Sequence, residues 1–282
     1  MRGKLNLNFT QRRKEAKAQS TSGDFVSKNP DLALEFELAL ELELEYRMLD
    51  LKIIIPVYNE SEIIRLVVED WVNTLEQFNI NYQIRLYNDG STDETAQVLG
   101  RLASQYGDTI KVVHKLNSGH GPTILQAYNE SLDAEWIFQV DSDNEISAAQ
   151  FPAFWEQREQ YDFLIGKRRG RKSPLLRRIM TWMSWFVVWE AYGGGVKDVN
   201  SPYRLMRVDA FKDVFARIPA KTFAPNIIIT GMAIKQNRRR IKVLDVQYNI
   251  RKTGTASLGK NIPRLISISV KSFVEVIAFV FR

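Results

Sequence analysis

The sequence predicts an α/β fold in which helices cover both faces of a doubly wound, mainly parallel sheet. Short apolar runs of strand length alternate with amphipathic segments of helix length from residue 51 onward. Polar residues follow the apolar runs of the first half, at the edge where parallel strands present their ligand-binding ends. The 282 residues allow one large or two small domains, and the 45% hydrophobic content supplies a substantial core.

The first half of the chain carries the regular part of this pattern. Strands are predicted at 52–57, 82–87, 110–114 and 136–140, and helices at 60–78, 91–106 and 123–131. The first helix places its apolar side chains on one face, namely Ile63, Ile64, Val67, Val68, Trp71 and Leu75. The run from Ser91 to Glu94 resembles a capping box and predicts the start of the second helix.

The second half of the chain is less regular. It contains predicted strands or extended segments at 162–167, 199–206 and 241–250, and predicted helices at 174–192, 225–235 and 262–282. The charges of the last helix, at Arg264, Lys271, Glu275 and Arg282, fall in a narrow stripe at 3.6 residues per turn. We therefore predict a main domain at 48–260, followed by a C-terminal amphipathic helix at 261–282.

The N-terminal segment differs in composition from the rest. Residues 1–30 are polar and charged with few large apolar residues, which is typical of disorder. From Leu32 to Tyr46, apolar residues alternate with Ala or Glu, and this period of two favours a strand. Leu, Glu and Ala, however, are better helix formers than strand formers, so the two signals disagree. We predict that 1–47 is a disordered or poorly ordered extension and that the functional protein begins near Met48.

Composition narrows the possible classes of function. The absence of cysteine excludes disulfides, thiolate metal sites and a cysteine nucleophile. The polar, basic start lacks an apolar signal region and no window has the length of a membrane span, which favours a cytoplasmic location. The net charge of +6 suits phosphate, nucleic acid or an acidic membrane surface. Nucleic acid is disfavoured because no motif of a nucleic-acid-binding fold accompanies the charge.

Asp141, Ser142 and Asp143 follow the apolar strand predicted at 136–140. Two carboxylates at positions i and i+2 of an extended backbone point to the same side, where they repel each other and lose hydration. A hard cation with oxygen ligands, Mg²⁺ or Mn²⁺, would relieve both costs and would be shared with the phosphates of a substrate. The alternative is a polar turn whose acidic residues cap the next helix.

Three ordered motifs resemble those of glycosyltransferase family 2. They are I-I-I-P-V-Y-N-E at 53–60, Y-N-D-G-S-T-D-E-T at 87–95 and D-S-D at 141–143. Further segments look like the polyprenyl-phosphate branch of that family, which includes dolichol-phosphate mannosyltransferase. These segments are G-K-R-R at 166–169, Arg177-Arg178, D-V-N-S-P-Y-R at 198–204 and R-K-T-G-T-A-S at 251–257. The resemblance covers about 51–260 and implies the GT-A fold of nucleotide-diphospho-sugar transferases.

The resemblance also implies roles for individual residues. The nucleotide-sugar, linked to UDP or GDP, would be held by Pro56, Tyr58, Asn59, Glu60, Asp89, Gly90, Gly119 and Asp141. The emphasis falls on Asp89, because many relatives have Asp where this chain has Asn88. Mg²⁺ or Mn²⁺ would be bound by Asp141, Asp143 and Glu145, the last standing where some relatives have Gln. His120 is predicted to be a surface residue rather than a base.

A basic cluster without acidic residues runs from Lys167 to Arg178, and a solvated loop is the alternative interpretation. By resemblance, the acceptor phosphate would be bound by Arg168, Arg177, Arg178, Arg204 and Arg251, since guanidinium groups suit phosphate. The catalytic candidates are Asp143, Arg168 and Arg204.

The predicted function is an inverting, divalent-metal-dependent glycosyltransferase acting on a polyprenyl phosphate, either dolichyl or undecaprenyl phosphate. Such an acceptor is already anionic and needs no general base. The Trp-rich helix at 174–192 and the helix at 262–282 favour a peripheral location on the cytoplasmic face of a membrane, with burial against the sheet as the alternative. Two other functions stay open. One is transfer to a saccharide or protein hydroxyl, with a base near Asp198 or Glu190, and the other is catalytically silent nucleotide-sugar binding.

Overall fold

The computed structural model describes residues 49–170, 175–194, 196–237, 240–249 and 262–280. The extension predicted at 1–47 and the acceptor candidate Arg251 lie outside these residues, as does Met48. The predicted division into an extension, a main domain and a terminal helix therefore stays a prediction.

The described residues form a seven-stranded sheet in the order β3-β2-β1-β4-β6-β5-β7. The strands are β1 (Leu49–Val57), β2 (Tyr82–Asp89), β3 (Ile110–Lys115), β4 (Ala134–Gln139), β5 (Phe163–Arg169), β6 (Arg204–Arg207) and β7 (Ile241–Gln247). β6 runs antiparallel to its neighbours β4 and β5, and the other pairs are parallel. The prediction of a mainly parallel sheet is therefore confirmed.

Helices connect these strands. They are α1 (Ile64–Leu75), α2 (Thr95–Tyr106), α3 (His120–Asn129), α4 (Pro152–Trp155), α5 (Leu175–Tyr192), α6 (Val208–Arg217), α7 (Pro225–Asn237) and α8 (Ile262–Val280). The predicted capping box is wrong, because Glu94 occupies the N-cap of α2 and makes no side-chain cap hydrogen bond. Asp93 takes that role instead, since its Oδ1 accepts from the backbone N–H of Thr95 at 3.0 Å.

Two apolar layers cover the two faces of the sheet, as the doubly wound prediction requires. On one face, Trp71 of α1 packs against Phe138 of β4 and Phe151, with ring centroids 5.2 and 5.5 Å apart. The other layer joins α3, α5, α6, α7 and α8, and includes Tyr128 stacked on Phe215 at 4.8 Å. The sheet is therefore buried on both sides and leaves its strand ends as the accessible polar edge.

The order in which the chain adds strands to the sheet reverses between β1 and β4. The chain runs from β1 through β2 to β3 on one side, and then returns to add β4 on the other side of β1. Pairing between β1 and β4 ends at Ile54 and Gln139, with one more hydrogen bond from Val140 N–H to the Ile54 carbonyl. Pro56 lies two residues further, so its nitrogen faces the same side and has no N–H to extend the ladder. Doubly wound sheets bind ligands at the point where the strand order reverses.

Candidate functional site

The loops that follow β1 and β2 are joined at the carboxyl edge of the sheet. Asn59 adopts a positive φ of 54°, and its side-chain oxygen accepts from the Thr92 N–H at 2.8 Å. The Asn59 N–H donates to Ser91 Oγ at 3.0 Å, and the Glu60 N–H donates to Thr95 Oγ1 at 2.9 Å. Asn tolerates this left-handed conformation better than most residues. These bonds fix the backbone of the first predicted nucleotide motif.

Within that motif the side chains differ in accessibility. Tyr58 is 42% exposed and Asn59 is exposed, whereas Pro56 is buried inside β1. Tyr58, Asn59 and Glu60 therefore lie where a ligand at the strand ends can contact them, and Pro56 shapes the backbone. The structure thus places the polar part of the predicted nucleotide motif at the ligand edge.

Asp89 is buried at the end of β2, and both of its carboxylate oxygens accept hydrogen bonds from the end of β3 and the loop that follows it. Its Oδ1 accepts from Lys115 Nζ at 2.5 Å and from the Ser118 N–H at 2.9 Å. Its Oδ2 accepts from the Gly119 N–H at 2.9 Å. Burial on its own would raise the pKa of Asp89, but the hydrogen bonds from Lys115 and Ser118 outweigh burial and lower it. The carboxylate that was predicted to contact the nucleoside holds the 115–119 loop in this structure.

The glycines of this region serve packing as well as access. Gly90 has φ of +69°, and a Cβ there would come within 2.7 Å of the Asn117 backbone nitrogen. At Gly121, an added Cβ would come within 2.1 Å of the Phe223 carbonyl oxygen, so this glycine permits close packing. Gly119, with φ of +91°, is the glycine whose added Cβ would meet none of the described residues. There is therefore open space beside Gly119, and its contact with the donor stays a prediction.

The D-S-D segment leaves one carboxylate oxygen unsatisfied. Asp141 Oδ1 is buried and accepts no hydrogen bond from the part of the chain that the structure describes. Asp143 Oδ1 accepts from the Glu145 N–H at 3.1 Å, across Asn144 with φ of 55°. A buried oxygen without a donor is costly unless a ligand compensates it. Asp141 is therefore the carboxylate of this segment with a direct reason to receive a ligand.

The carboxylates fit a divalent cation only together with a substrate. Among the described residues, no three His, Asp or Glu side chains are grouped closely enough to hold a metal ion by themselves. The predicted metal ligands Asp141, Asp143 and Glu145 therefore stay a prediction. The unpaired Asp141 Oδ1 still fits Mg²⁺ or Mn²⁺, which characteristically take one or two carboxylates and complete their shell with water and phosphate oxygens.

Arg168 faces this segment from the end of β5. Its Nε and Nη2 donate to the two carboxylate oxygens of Asp198 at 2.8 and 2.7 Å. Arg168 also lines a small pocket together with Asp141, Asp143 and Glu145. Burial lowers the pKa of Arg168, but the hydrogen bonds and charge of Asp198, with smaller contributions from Asp141 and Glu145, raise it overall. The structure thus brings a fixed cation beside the predicted metal ligands.

Arg204 is not part of the accessible site, which corrects its prediction as a catalytic and phosphate-binding residue. The side chain is fully buried. Its guanidinium donates to the carbonyls of Ser201 at 2.5 and 2.9 Å, Asn226 at 3.1 Å and Val199 at 3.3 Å. Burial lowers its pKa to about 10. Arg204 holds the segment that follows Asp198 by donating to the carbonyls of Val199 and Ser201, and so helps to position the Arg168–Asp198 pair.

The remaining acceptor candidates lie at or beyond the limits of the description. Arg177 and Arg178 belong to the first half of helix α5, and Arg251 lies outside the described residues. Arg169, which belongs to the same basic cluster, pairs with Asp245 at 2.9 Å on the surface. The structure therefore supports Arg168 and leaves the other acceptor contacts as predictions.

The structure adds to the site two residues that were not predicted to belong to it, His120 and Lys115. His120 is 57% exposed at the start of α3, and its Nε2 lies 3.7 Å from Asp141 Oδ1. Lys115 is the internal partner of Asp89 and also donates to Ser118 Oγ at 2.5 Å. The surface position predicted for His120 is confirmed, but its proximity to Asp141 depends on packing between α3 and the β4 end. Sequence distance gave no signal for either contact.

The family model described as Glycosyl transferase family 2 matches residues 52–215, which is more than half of the chain. The match contains all three motifs of the first half and the Arg168–Asp198 pair. It ends within α6, so helices α7 and α8 lie beyond it.

Two curated relatives carry names from polyprenyl-phosphate chemistry. The undecaprenyl-phosphate 4-deoxy-4-formamido-L-arabinose transferase of Proteus mirabilis is 26% identical over 62% of this chain and 57% of its own length. The dodecaprenyl-phosphate galacturonate synthase of Rhizobium johnstonii is 24% identical over 75% of this chain and 62% of its own length. This chain therefore spans about three fifths of the length of these relatives.

Solved structures agree with the fold. Glucosyl-3-phosphoglycerate synthase from Mycobacterium tuberculosis, in complex with UDP, has a TM-score of 0.59 at 14% identity and covers 86% of this chain and 83% of its own. The same enzyme has been crystallised with Mn²⁺, UDP-glucose and phosphoglyceric acid, with a TM-score of 0.58 at 13% identity over 86% and 83% of the two chains. At these identities the similarity establishes the fold, and the predicted GT-A fold is confirmed.

Proposed function

The chain belongs to glycosyltransferase family 2, and we propose that it transfers a sugar from a nucleotide-diphospho-sugar to a polyprenyl phosphate, with inversion of the anomeric centre. The observation that carries this proposal is the juxtaposition of Arg168 with the D-S-D segment at the ligand edge of the sheet. A fixed cation near the Asp141 Oδ1, which accepts no hydrogen bond from the described residues, suits a site that binds phosphates and their metal ion together. The names of the curated relatives support the same acceptor class.

We further propose that Asp141 and Asp143 hold Mg²⁺ or Mn²⁺ on the donor diphosphate. When bound, such a cation neutralises the charge that develops on the leaving group. Asp141 contributes its unsatisfied Oδ1, and Asp143 is held in place by the Glu145 N–H. Tyr58, Asn59 and Glu60 line the nucleoside side of the same edge. UDP and GDP are both compatible with these contacts.

In the proposed reaction, an oxygen of the acceptor phosphate bonds to the anomeric carbon from the side opposite the diphosphate. The bond between that carbon and the diphosphate oxygen breaks, and its electron pair leaves with the nucleoside diphosphate. No proton needs to move, because the acceptor phosphate is anionic at neutral pH. Arg168, aligned by Asp198, supplies a positive charge at this edge and attracts both phosphates.

The state of Asp198 favours a phosphate acceptor over a hydroxyl acceptor. Transfer to a saccharide or protein hydroxyl requires a general base, for which Asp198 or Glu190 was considered. Both oxygens of Asp198 accept hydrogen bonds from Arg168, so this carboxylate is committed to an ion pair. Glu190 is exposed on α5. Asp198 is thus better suited to orienting Arg168 than to removing a proton.

We also propose that the protein meets the acceptor at a membrane surface, on the cytoplasmic side. Helices α5 and α8 pack against each other, and both expose large apolar side chains. These are Trp182, Met183, Phe186, Trp189, Val270, Phe273 and Val274. Exposed Trp on an apolar helix face suits the interface between water and lipid. Among the described helices, none combines the length and apolar character needed to cross a membrane.

A transfer assay tests the proposed reaction. The full chain is incubated in detergent with a polyprenyl phosphate, Mg²⁺ or Mn²⁺, and a panel of labelled UDP- and GDP-sugars. We expect label in the organic phase with one donor, and loss of that label when the metal is chelated. Metal-dependent release of the nucleotide without organic label would replace the lipid acceptor by a soluble one. Nucleotide-sugar binding without any turnover would identify a catalytically silent binder and overturn the proposal.

A further inference from the structure

A groove of about 1180 Å³ lies on the helical face of the sheet and shares Lys115 and Ser118 with the site described above. Its walls are the outer side of α3, the segment from Phe215 to Lys221 that follows α6, and Lys271 of α8. Apolar side chains form much of the lining, including Leu116, Pro122 and Leu125. Neither the donor chemistry nor the acceptor chemistry proposed above uses this groove.

Three cations line the groove without a carboxylate partner. Arg217, Lys221 and Lys271 are all exposed, and none forms an ion pair with any residue that the structure describes. Arg217 rests over the ring of Phe279, with 5.5 Å from its guanidinium carbon to the ring centroid. The described lining contains no Asp or Glu. Glu275, one helical turn after Lys271, is committed to the Phe223 N–H at 2.7 Å.

We call the rim of the groove the exposed apolar side chains of Leu116, which lines it, and of Val270 and Val274, which neighbour Lys271 on α8. Leu116 is 91% exposed, the largest exposed fraction among the large apolar side chains of the described chain. On α8, Val270 and Val274 flank Lys271 and are 55% and 59% exposed. A cationic groove with an apolar rim matches an amphiphile that carries a negative headgroup. A soluble anion would have no use for the apolar rim.

We propose that this groove binds the phosphate headgroup of an anionic membrane phospholipid, distinct from the polyprenyl phosphate acceptor. Arg217, Lys221 and Lys271 receive the phosphate, while Leu116 and the exposed valines of α8 enter the adjoining acyl region. The proposal rests on the membrane contact proposed for α8, and it adds selectivity for anionic lipid to that contact. The groove would then orient the enzyme so that its catalytic edge faces acceptors in the same leaflet.

Vesicle sedimentation tests the proposal with purified full-length protein. The vesicles contain phosphatidylcholine alone, or phosphatidylcholine with one third phosphatidylglycerol. Lys221→Gln combined with Lys271→Gln is compared with Arg101→Gln combined with Lys235→Gln, which removes two exposed cations outside the groove. Each basic residue near an anionic surface contributes roughly a factor of five to binding, so the groove variant should lose about 30-fold in partition coefficient. The control variant should stay within about twofold, because its cations lie away from the rim.

Other outcomes would overturn the proposal. Equal losses in both variants would show diffuse attraction of surface charge, and an unchanged groove variant would show that the cations do not contact lipid. Equal binding of the wild-type protein to both vesicle types, or to neither, would remove the selectivity on which the groove depends. Retained vesicle binding together with lost binding of polyglutamate would reassign the groove to an acidic polypeptide. Thermal melting of each variant confirms that the fold is intact.

The proposed transfer reaction stands or falls separately. It is measured on wild-type protein in detergent micelles, where no bilayer surface is present. Transfer in micelles without preference for anionic vesicles would overturn the groove proposal alone. Preference for anionic vesicles without transfer would overturn the proposed reaction alone.

Discussion

Asp89 and Asp141 end the two strands that flank β1, yet their carboxylates are treated in opposite ways. Asp89 is 4% exposed, and its oxygens accept from Lys115, Ser118 and Gly119. Asp141 keeps a buried Oδ1 that accepts no hydrogen bond from the described residues. The same residue type near two strand ends is therefore satisfied by the protein in one case, and in the other keeps an oxygen to which the described residues donate no hydrogen bond.

This contrast distinguishes structural support from function. A buried carboxylate that the protein satisfies contributes to the fold, because its partners compensate the loss of hydration. A buried carboxylate without such partners lowers stability, and a compensating ligand is the physical reason to retain it. The energetic cost at Asp141 Oδ1 is therefore a physical argument for the proposed metal site that the D-S-D motif alone does not supply.

The largest expected effect is on catalysis at Asp141. Asp141→Asn keeps the shape of the side chain but removes its charge, so transfer should fall about 1,000-fold. Thermal stability should be unchanged or higher, because repulsion from Asp143 is relieved. Glu145→Gln is the matched control and should lose less than about tenfold, since the proposed cation is held by Asp141 and Asp143. Steady-state transfer rates and thermal melting check both variants.

A similar loss in Asp141→Asn and Glu145→Gln would contradict this assignment. It would show that the three carboxylates act as one set once substrate is bound.

The second effect is on stability at Asp89. Asp89→Asn leaves Lys115 without its buried partner, and the free energy of unfolding should fall by about 3 kcal/mol. Asp108→Asn breaks the exposed pair with Lys111, which solvent screens, and should cost much less than Asp89→Asn. Urea unfolding of the two variants gives the comparison. Equal costs would mean that burial of the Asp89 pair is unimportant.

The pH dependence of unfolding sharpens the same comparison. The pKa of Asp89 is lowered in the folded protein, so its contribution is fully present above the unfolded carboxyl pKa of about 4. That contribution is lost as the pH falls through the lowered folded pKa. Wild-type stability should therefore decline in acid more steeply than that of Asp89→Asn. Parallel acid limbs for the two proteins would contradict the assignment of this carboxylate.

A smaller effect on stability is expected at Arg204. Arg204→Met leaves the carbonyls of Val199, Ser201 and Asn226 without their donor, although it also removes a buried charge. The net loss should be about 2 kcal/mol. Donor affinity of the folded fraction, measured by calorimetry below the melting range, should change little. A strong loss of donor affinity with full stability would restore Arg204 to the binding site.

The smallest effect is expected at His120. His120→Ala removes a half-exposed side chain near Asp141, so stability should stay within about 0.5 kcal/mol. Transfer should fall about threefold, through loss of one polar contact at the diphosphate edge. His114→Ala is the control, since His114 contacts Asn88 rather than Asp141. Equal effects of the two substitutions on transfer would remove His120 from the site.

The sequence was sufficient for the first half of the fold but not for the second. Apolar runs and polar strand ends located β1 to β4, because buried parallel strands are nearly continuous in apolar residues. Helix α6 was not predicted, although Val208, Phe211 and Phe215 fall on one face and form its buried side. The helix was missed because it is short and directly follows β6, with no intervening loop residues to mark its start.

The candidate site, like the fold, could be predicted only in part from the sequence. The strand-end rule placed Asp89 and Asp141 at one edge without further information. It could not tell which carboxylate the protein itself satisfies, because the donors to Asp89 come from a loop about thirty residues later. Arg204 was assigned to phosphate by resemblance, because guanidinium groups suit phosphate. Its burial follows from contacts with α7, which spacing along the chain does not encode.

Pro56 limits how far the hydrogen-bond ladder between β1 and β4 can extend. A pair of parallel strands can extend its ladder by one residue whenever a donor and an acceptor face each other across a gap. At the gap between β1 and β4 the next donor is missing, since the Pro56 nitrogen carries no hydrogen. The two strands cannot zip further toward their carboxyl ends, even when no substrate holds them apart. The end of the β1–β4 ladder, near which we propose that the donor binds, is thus set by covalent structure rather than by bound ligand.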